Sequence, residues 1–237
     1  MSLETLQVLK KLEKSPTFSV TAAASIIGKD SAYAKVYLNR LKKRGLVQKL
    51  QRNVYTVHQD PLIIASRITW PSYISLWAAI RYYNLTEQLP TVISVLTTST
   101  KSRKAIFFAN TKIVFRRIRP SYFFGFSKIR IGDFDVFMVE PEKAVIDAVL
   151  LKEISVSEIY SILKENLGAL SVKRIQEYVL RTRNKALAKR FGWMLESLGH
   201  KAGRLKAMTY KTPIPLDYAR PALGKKDAAW GVIVNVG

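Results

Sequence analysis

The chain has no cysteine, which removes disulfides, thiolate metal sites and a cysteine nucleophile in one step. Histidine is nearly as scarce. His58 and His200 stand apart, without a local constellation of Asp, Glu or His, too little for a zinc centre or a Ser/His triad. There is no run of roughly 18 apolar residues, no signal peptide and no lipidation signal, so the expected location is cytoplasmic with no membrane partner. No phosphate-cradling glycine loop and no internal repeat occurs, which argues against a nucleotide-binding P-loop and a solenoid. Acidic residues are short too: 17 Asp and Glu face 39 Lys and Arg, a net charge of +22. A field of that size calls for a polyanion, and nucleic acid is the expected one. The surplus favours the two ends: 11 basic against 4 acidic groups in 1–60, 14 against 9 in 61–167 and 14 against 4 in 168–237.

What is present organises itself around Asp30 to Gly45. At about 3.6 residues per turn, Ala34, Tyr37, Leu38 and Leu41 share one helical face. The other face carries Ala32, Lys35, Val36, Asn39, Arg40 and Lys43, a mixture of small apolar, amide and cationic groups suited to a major groove. Asp30 or Ser31 can cap its start, and Gly45 can end it. Upstream, Leu3, Leu6, Leu9 and Leu12 predict a first amphipathic helix over 1–14. Ser19 can cap a short second helix, Val20 to Ile27, with Ala23, Ile26 and Ile27 inward and Gly28 at the turn. Downstream, Leu46–Leu50 and Val54–Val57 read as two strands joined through Gln51-Arg52-Asn53. Three helices and a hairpin in this order predict a winged helix-turn-helix over 1–60. Ser31, Ala32, Lys35, Val36, Asn39 and Arg40 would lie at base edges, with Lys43, Lys49 and Arg52 on phosphates. Asn39 could read adenine, and Ala32 or Val36 could pack on a thymine methyl.

Asp60-Pro61 marks a junction, and 61–237 is expected to form a larger α+β domain, giving an α+β chain overall. Leu62 to Ile68 reads as a connecting helix, and Ser72 as the cap of a helix bearing Tyr73, Leu76, Trp77, Ile80 and Tyr83. A β-rich stretch over about 91–139 predicts a small sheet. Helices follow over about 141–199, then an extended C-terminal arm rich in Pro and Gly, with one more strand near Trp230 to Val234.

Three features bear on chemistry. Asp133 and Asp135, two residues apart on a strand, could hold a divalent metal, making the alternative a nucleotidyltransferase-like or RNA-processing enzyme; a polar turn is the plainer reading. Nucleotidyl transfer also wants a glycine-serine element feeding a helix, whereas Gly125-Phe126-Ser127 runs into an apparent strand. Asp147, inside an apolar helix, is expected to pair with an Arg. The basic group Arg181, Arg183, Lys185, Lys189 and Arg190 could add nucleic-acid contacts or be a solvated helix face. The expectation is therefore a non-enzymatic protein without metal or cofactor.

The order of segments resembles the AbiEi family of antitoxins, the regulators of type IV toxin–antitoxin and phage-defence loci. The likeness is carried by Val54-Tyr55-Thr56-Val57, Asp60-Pro61 and Ala65, Pro71 to Ser75 leading into Trp77 to Leu85, Thr97-Thr98, Phe115 to Ile118, Phe124-Gly125, Val139-Glu140-Pro141-Glu142-Lys143-Ala144 to Asp147, Gly192 to Leu198, and Trp230 to Asn235. Its motifs are short and mainly structural, though they span nearly the whole chain. One departure is Asn53-Val54, where a glycine often precedes the tyrosine of the wing. The resemblance implies a winged helix-turn-helix repressor of its own operon at promoter inverted repeats, with a homodimer on DNA as a possible form. It also implies a C-terminal antitoxicity domain that opposes a nucleotidyltransferase-like toxin without a stable complex.

Overall fold

A computed structural model gives the architecture, and residues 3–100 and 104–236 are described. The chain is α+β. Helices α1 (Leu3–Leu12), α2 (Val20–Ile27) and α3 (Ser31–Lys43) precede a hairpin of β1 (Gln48–Gln51) and β2 (Val54–Thr56). They enclose a small core of Val8, Leu12, Phe18, Ala23, Leu38, Leu41, Val47 and Tyr55. Phe18 pairs with Tyr55, adding one antiparallel bridge to the hairpin. Met1 and Ser2 of the first predicted helix lie outside the described residues. Along the rest of α1 the buried positions are Thr5, Val8 and Leu12, while Leu3 and Leu6 face solvent.

The second core begins at Ile63 and runs to the C-terminal region. Helix α4 (Pro61–Ile68) is capped by Asp60, whose carboxylate accepts the Leu62 N–H at 2.8 Å, with Pro61 in the first turn where no N–H is needed. Strand β3 (Ser72–Ser75) and the short α5 (Trp77–Tyr82) follow. Next come β4 (Val92–Thr97), β5 (Ala105–Phe108), β6 (Thr111–Arg117), β7 (Phe126–Ile131) and β8 (Phe134–Val139). They form a six-stranded mixed sheet in the order β5-β6-β4-β3-β8-β7. Strand β3 runs antiparallel to β4 and parallel to β8, and β4 is parallel to β6.

This corrects the helix expected from Ser72 and extends the sheet beyond the expected 91–139. All four β3 residues are buried, so both faces are covered and the strand shows no polar alternation. Leu76, at φ 58, turns the chain before the helix begins.

Helices α6 (Pro141–Leu150), α7 (Val156–Asn166), α8 (Val172–Thr182) and α9 (Lys185–Ser197) fill the expected 141–199, and α10 (Gly203–Lys206) adds a turn. The C-terminal segment is not an extended arm. Strands β9 (Ile214–Pro215), β10 (Lys225–Asp227) and β11 (Val232–Val234) form a separate three-stranded sheet ordered β10-β11-β9. Trp230 anchors it. The indole is buried against Gly192 of α9, where a Cβ would lie 2.0 Å from the ring, and its N–H donates to Glu196 at 2.7 Å. Asn235 clamps the far end, accepting the Asp217 N–H at 2.7 Å and donating to the carbonyls of Asp217 and Pro221 at 2.8 and 2.9 Å. Gly192 to Leu198 and Trp230 to Asn235 thus meet in space.

Candidate nucleic-acid interface

Local signals set the geometry of α2 and α3. The Ser19 hydroxyl accepts the Ala22 N–H at 3.1 Å, and Gly28, at φ 72, ends α2 with its N–H on the Ala24 carbonyl. Two residues later Asp30 opens α3, its carboxylate accepting the Tyr33 N–H at 2.7 Å, so Asp30 and not Ser31 is the cap. A carboxylate there also complements the helix dipole. Gly45, at φ 71, receives the chain as it leaves α3.

Ala34, Leu38 and Leu41 are buried, and full burial of each leucine contributes on the order of 1.5–3 kcal/mol. Tyr37 is half-buried, and its hydroxyl donates to Thr5 at 3.3 Å, tying α3 to α1. With the inward face fixed, Ser31, Ala32, Lys35, Val36, Asn39, Arg40 and Lys43 are all exposed, Val36 at 51%. Val36 thus presents about half of its apolar surface to solvent among cations.

The hairpin places two more cations. Lys49 sits opposite Tyr55, and Arg52 is at the tip; both are exposed. Asn53 takes φ 59, a backbone region asparagine tolerates far better than most residues, which explains how the turn forms without the glycine. Its side-chain oxygen also accepts the Val20 N–H at 2.9 Å and so fastens the tip to the start of α2. Lys42 and Arg44, which the wheel passed over, are exposed beside Lys43. Among the described residues, none of Lys35, Arg40, Lys42, Lys43, Arg44, Lys49 and Arg52 pairs with a carboxylate. Their counterions are therefore free to be exchanged for phosphates.

The body spends some of its cations differently. Lys189, expected among additional nucleic-acid contacts, is fully buried: its ammonium donates to the carbonyls of Thr212 and Gly231 at 2.6 and 3.1 Å and lies 3.6 Å from the Tyr210 ring centre. Arg190 is buried beside it and donates to the carbonyls of Leu216 and Pro215 at 2.8 and 3.1 Å. The folded-back C-terminal sheet accounts for both, because it supplies carbonyls that a solvated helix face would lack. Arg181, Arg183 and Lys185 remain exposed.

Asp147 pairs with Lys143, one turn earlier on α6, and not with an arginine. The Asp147 carboxylate also accepts the hydroxyls of Tyr73 and Ser75 at 3.1 and 3.0 Å, and Lys143 lies 4.7 Å from the Phe124 ring centre. Gly125 lets the chain pass, since a Cβ there would lie 3.1 Å from Lys143 Cγ. Glu142 accepts the Ser171 N–H at 3.0 Å, and Glu140 accepts the Tyr178 hydroxyl, whose pKa burial and that carboxylate push up to about 12. The Glu140 to Asp147 motif is thus a buried polar joint linking α6 to β3 and α8. With Lys143 at 0% and Asp147 at 1% exposure, solvent does not reach its ion pair.

Asp133 and Asp135 are directed to cations. Arg130 lies 3.9 Å from Asp133 and 3.5 Å from Asp135, and Lys128 lies 3.4 Å from Asp135. Gly132, at φ 54, makes Asp133 part of a turn, its side chain almost wholly exposed. This is the polar-turn geometry, and no group of three or more His, Asp or Glu among the described residues is placed to hold a metal ion. A concavity of about 840 Å³ lies elsewhere, lined by Trp77, Tyr160, Trp193, Glu87, Glu158 and Glu165 among others. No helix among the described residues is long and apolar enough to cross a membrane.

Compared with known proteins, the chain matches no family model and no curated sequence.

Proposed function

We propose that the chain is a DNA-binding transcriptional repressor whose first 60 residues act as a winged helix-turn-helix, with α3 as the recognition helix and the β1–β2 hairpin as the wing. The observation that carries this reading is the outward face of α3: Lys35, Asn39, Arg40 and Lys43 are exposed, their cations unpaired among the described residues, around an exposed Ala32 and Val36. Lysine and arginine supply the phosphate and guanine contacts, the Asn39 amide matches adenine, and the small apolar groups match thymine methyls. Lys49 and Arg52 reach phosphates beside the groove.

With the resemblance to the AbiEi family, the proposal extends to an antitoxin that represses its own operon at inverted repeats and opposes a nucleotidyltransferase-like toxin without forming a stable complex. The test is fluorescence anisotropy on DNA from the chain's own promoter and on shuffled DNA at physiological salt. Preferential binding to the promoter supports the reading, and equal affinity for both removes it. For the antitoxin role, co-expression with a neighbouring nucleotidyltransferase-like gene should restore growth without co-purification.

A further inference from the structure

We propose that a hollow on the body, formed where residues 119–122 meet the α8–α9 junction, binds a phosphate of an unpaired nucleic-acid strand. The concavity measures about 510 Å³, and Arg119, Ser121, Tyr122, Arg181 and Arg183 line it without any Asp or Glu among the lining residues. Among the described residues, none of the three arginines has a carboxylate partner. Three guanidinium groups around one hollow repel each other. The negative end of α8 offsets only part of that, so an anion in the hollow is the natural balance.

The backbone is fixed at Arg119 and Arg183, and the Arg181 guanidinium rests on a ring. Arg119 opens the short turn Pro120–Tyr122, with its carbonyl accepting the Tyr122 N–H at 2.9 Å. Arg181 lies over Phe124, its guanidinium carbon 4.1 Å from the ring centre. Arg183 caps α8 at φ 53, beside Thr182, whose hydroxyl donates to Val179 at 2.6 Å and accepts the Asn184 N–H at 3.2 Å. Planar guanidinium forks match phosphate oxygens better than lysine ammonium groups do. Tyr122, a half-buried lining residue, offers a ring on which a base next to the bound phosphate can stack. A duplex keeps its bases inside and cannot make that second contact, so the hollow favours a single strand. None of these residues belongs to α3 or the hairpin.

Labelled single-stranded RNA and DNA of about ten nucleotides, and a duplex of the promoter, are the probes for anisotropy with the full chain. Arg119→Gln with Arg183→Asn, the second chosen because asparagine accepts the left-handed backbone, should weaken single-strand binding about tenfold and duplex binding less than about threefold. The strand type with the larger loss identifies RNA or DNA as the ligand. Lys225→Gln with Lys226→Gln, which removes two exposed charges from β10, should change single-strand binding less than about threefold. Arg119→Glu alone, on an exposed loop, gives a second measurement that does not depend on the helix cap, and the melting temperature of each variant is followed alongside. Losses matching the β10 control, or equal losses on duplex and single strand, overturn the proposal.

Discussion

The basic residues of α3 and three of those in the body do opposite work. On α3 and the hairpin they point to solvent and pair with nothing in the described chain, whereas on α6 and α9 Lys143, Lys189 and Arg190 are buried donors that join helices to strands. A charge count treats these groups alike. The difference lies in what each cation finds within reach: water around Lys35, two carbonyls and a ring around Lys189. Net charge therefore overstates the electropositive surface of the body and describes α3 correctly.

The sharpest way to test this contrast is to neutralise one member of each group. Lys35→Ala with Arg40→Ala and Lys43→Ala should lower promoter affinity about a hundredfold or more and reduce the slope of log K against log salt by roughly three, with an unchanged melting temperature. Lys189→Ala should do the reverse. It strands the carbonyls of Thr212 and Gly231 and is expected to cost about 2–3 kcal/mol in a urea titration, leaving the salt slope of DNA binding intact.

A subtler division is expected within α3 itself. Asn39→Ala should lower the ratio of promoter to shuffled-DNA affinity by about 1–3 kcal/mol with little change in salt slope, read from paired anisotropy titrations.

The smallest effect concerns the C-terminal sheet that buries the cations. Burial pushes the Asp217 carboxyl up, but the Ser157 hydroxyl and the N–H groups of Ala219, Ser157 and Val156 outweigh it and hold it below its ordinary value of 3.8. A carboxyl lowered in this way contributes stability that is present above its unfolded pKa and lost as pH falls through the folded one. Asp217→Asn should thus cost about 1–2 kcal/mol at neutral pH, and the gap in melting temperature from the wild type should narrow as pH drops below about 4.

How much of this was legible in the sequence follows the range of the interactions. Ser19, Gly28, Asp30 and Gly45 act within a few residues of themselves, so α2, α3 and the turn between them could be read directly. The later helices carry equally local signals, Pro141 in the first turn of α6 and caps at Ser155, Ser171 and Asn184. Strand β3 was hidden because a strand buried on both faces loses its alternation, and its Tyr73 happened to fall in helical step with the aromatic residues of α5. The burial of Lys189 depends on carbonyls 23 and 42 residues away, and nothing near residue 189 signals them. Arg119 was missed for a similar reason: its neighbours in the hollow are at 181 and 183. Asp147 could have been matched to Lys143, since a four-residue step along a helix brings such a pair together.

The absence of cysteine allows the central claim to be tested at a single position. Val36→Cys places the chain's only thiol on the outward face of α3, and Leu89→Cys places it on the body, where Leu89 is 79% exposed. With saturating promoter DNA, alkylation at position 36 is expected to slow at least tenfold while alkylation at 89 keeps its rate, as burial in a groove requires. An unchanged rate at position 36 in the saturated complex would contradict the assignment of α3 as the recognition helix.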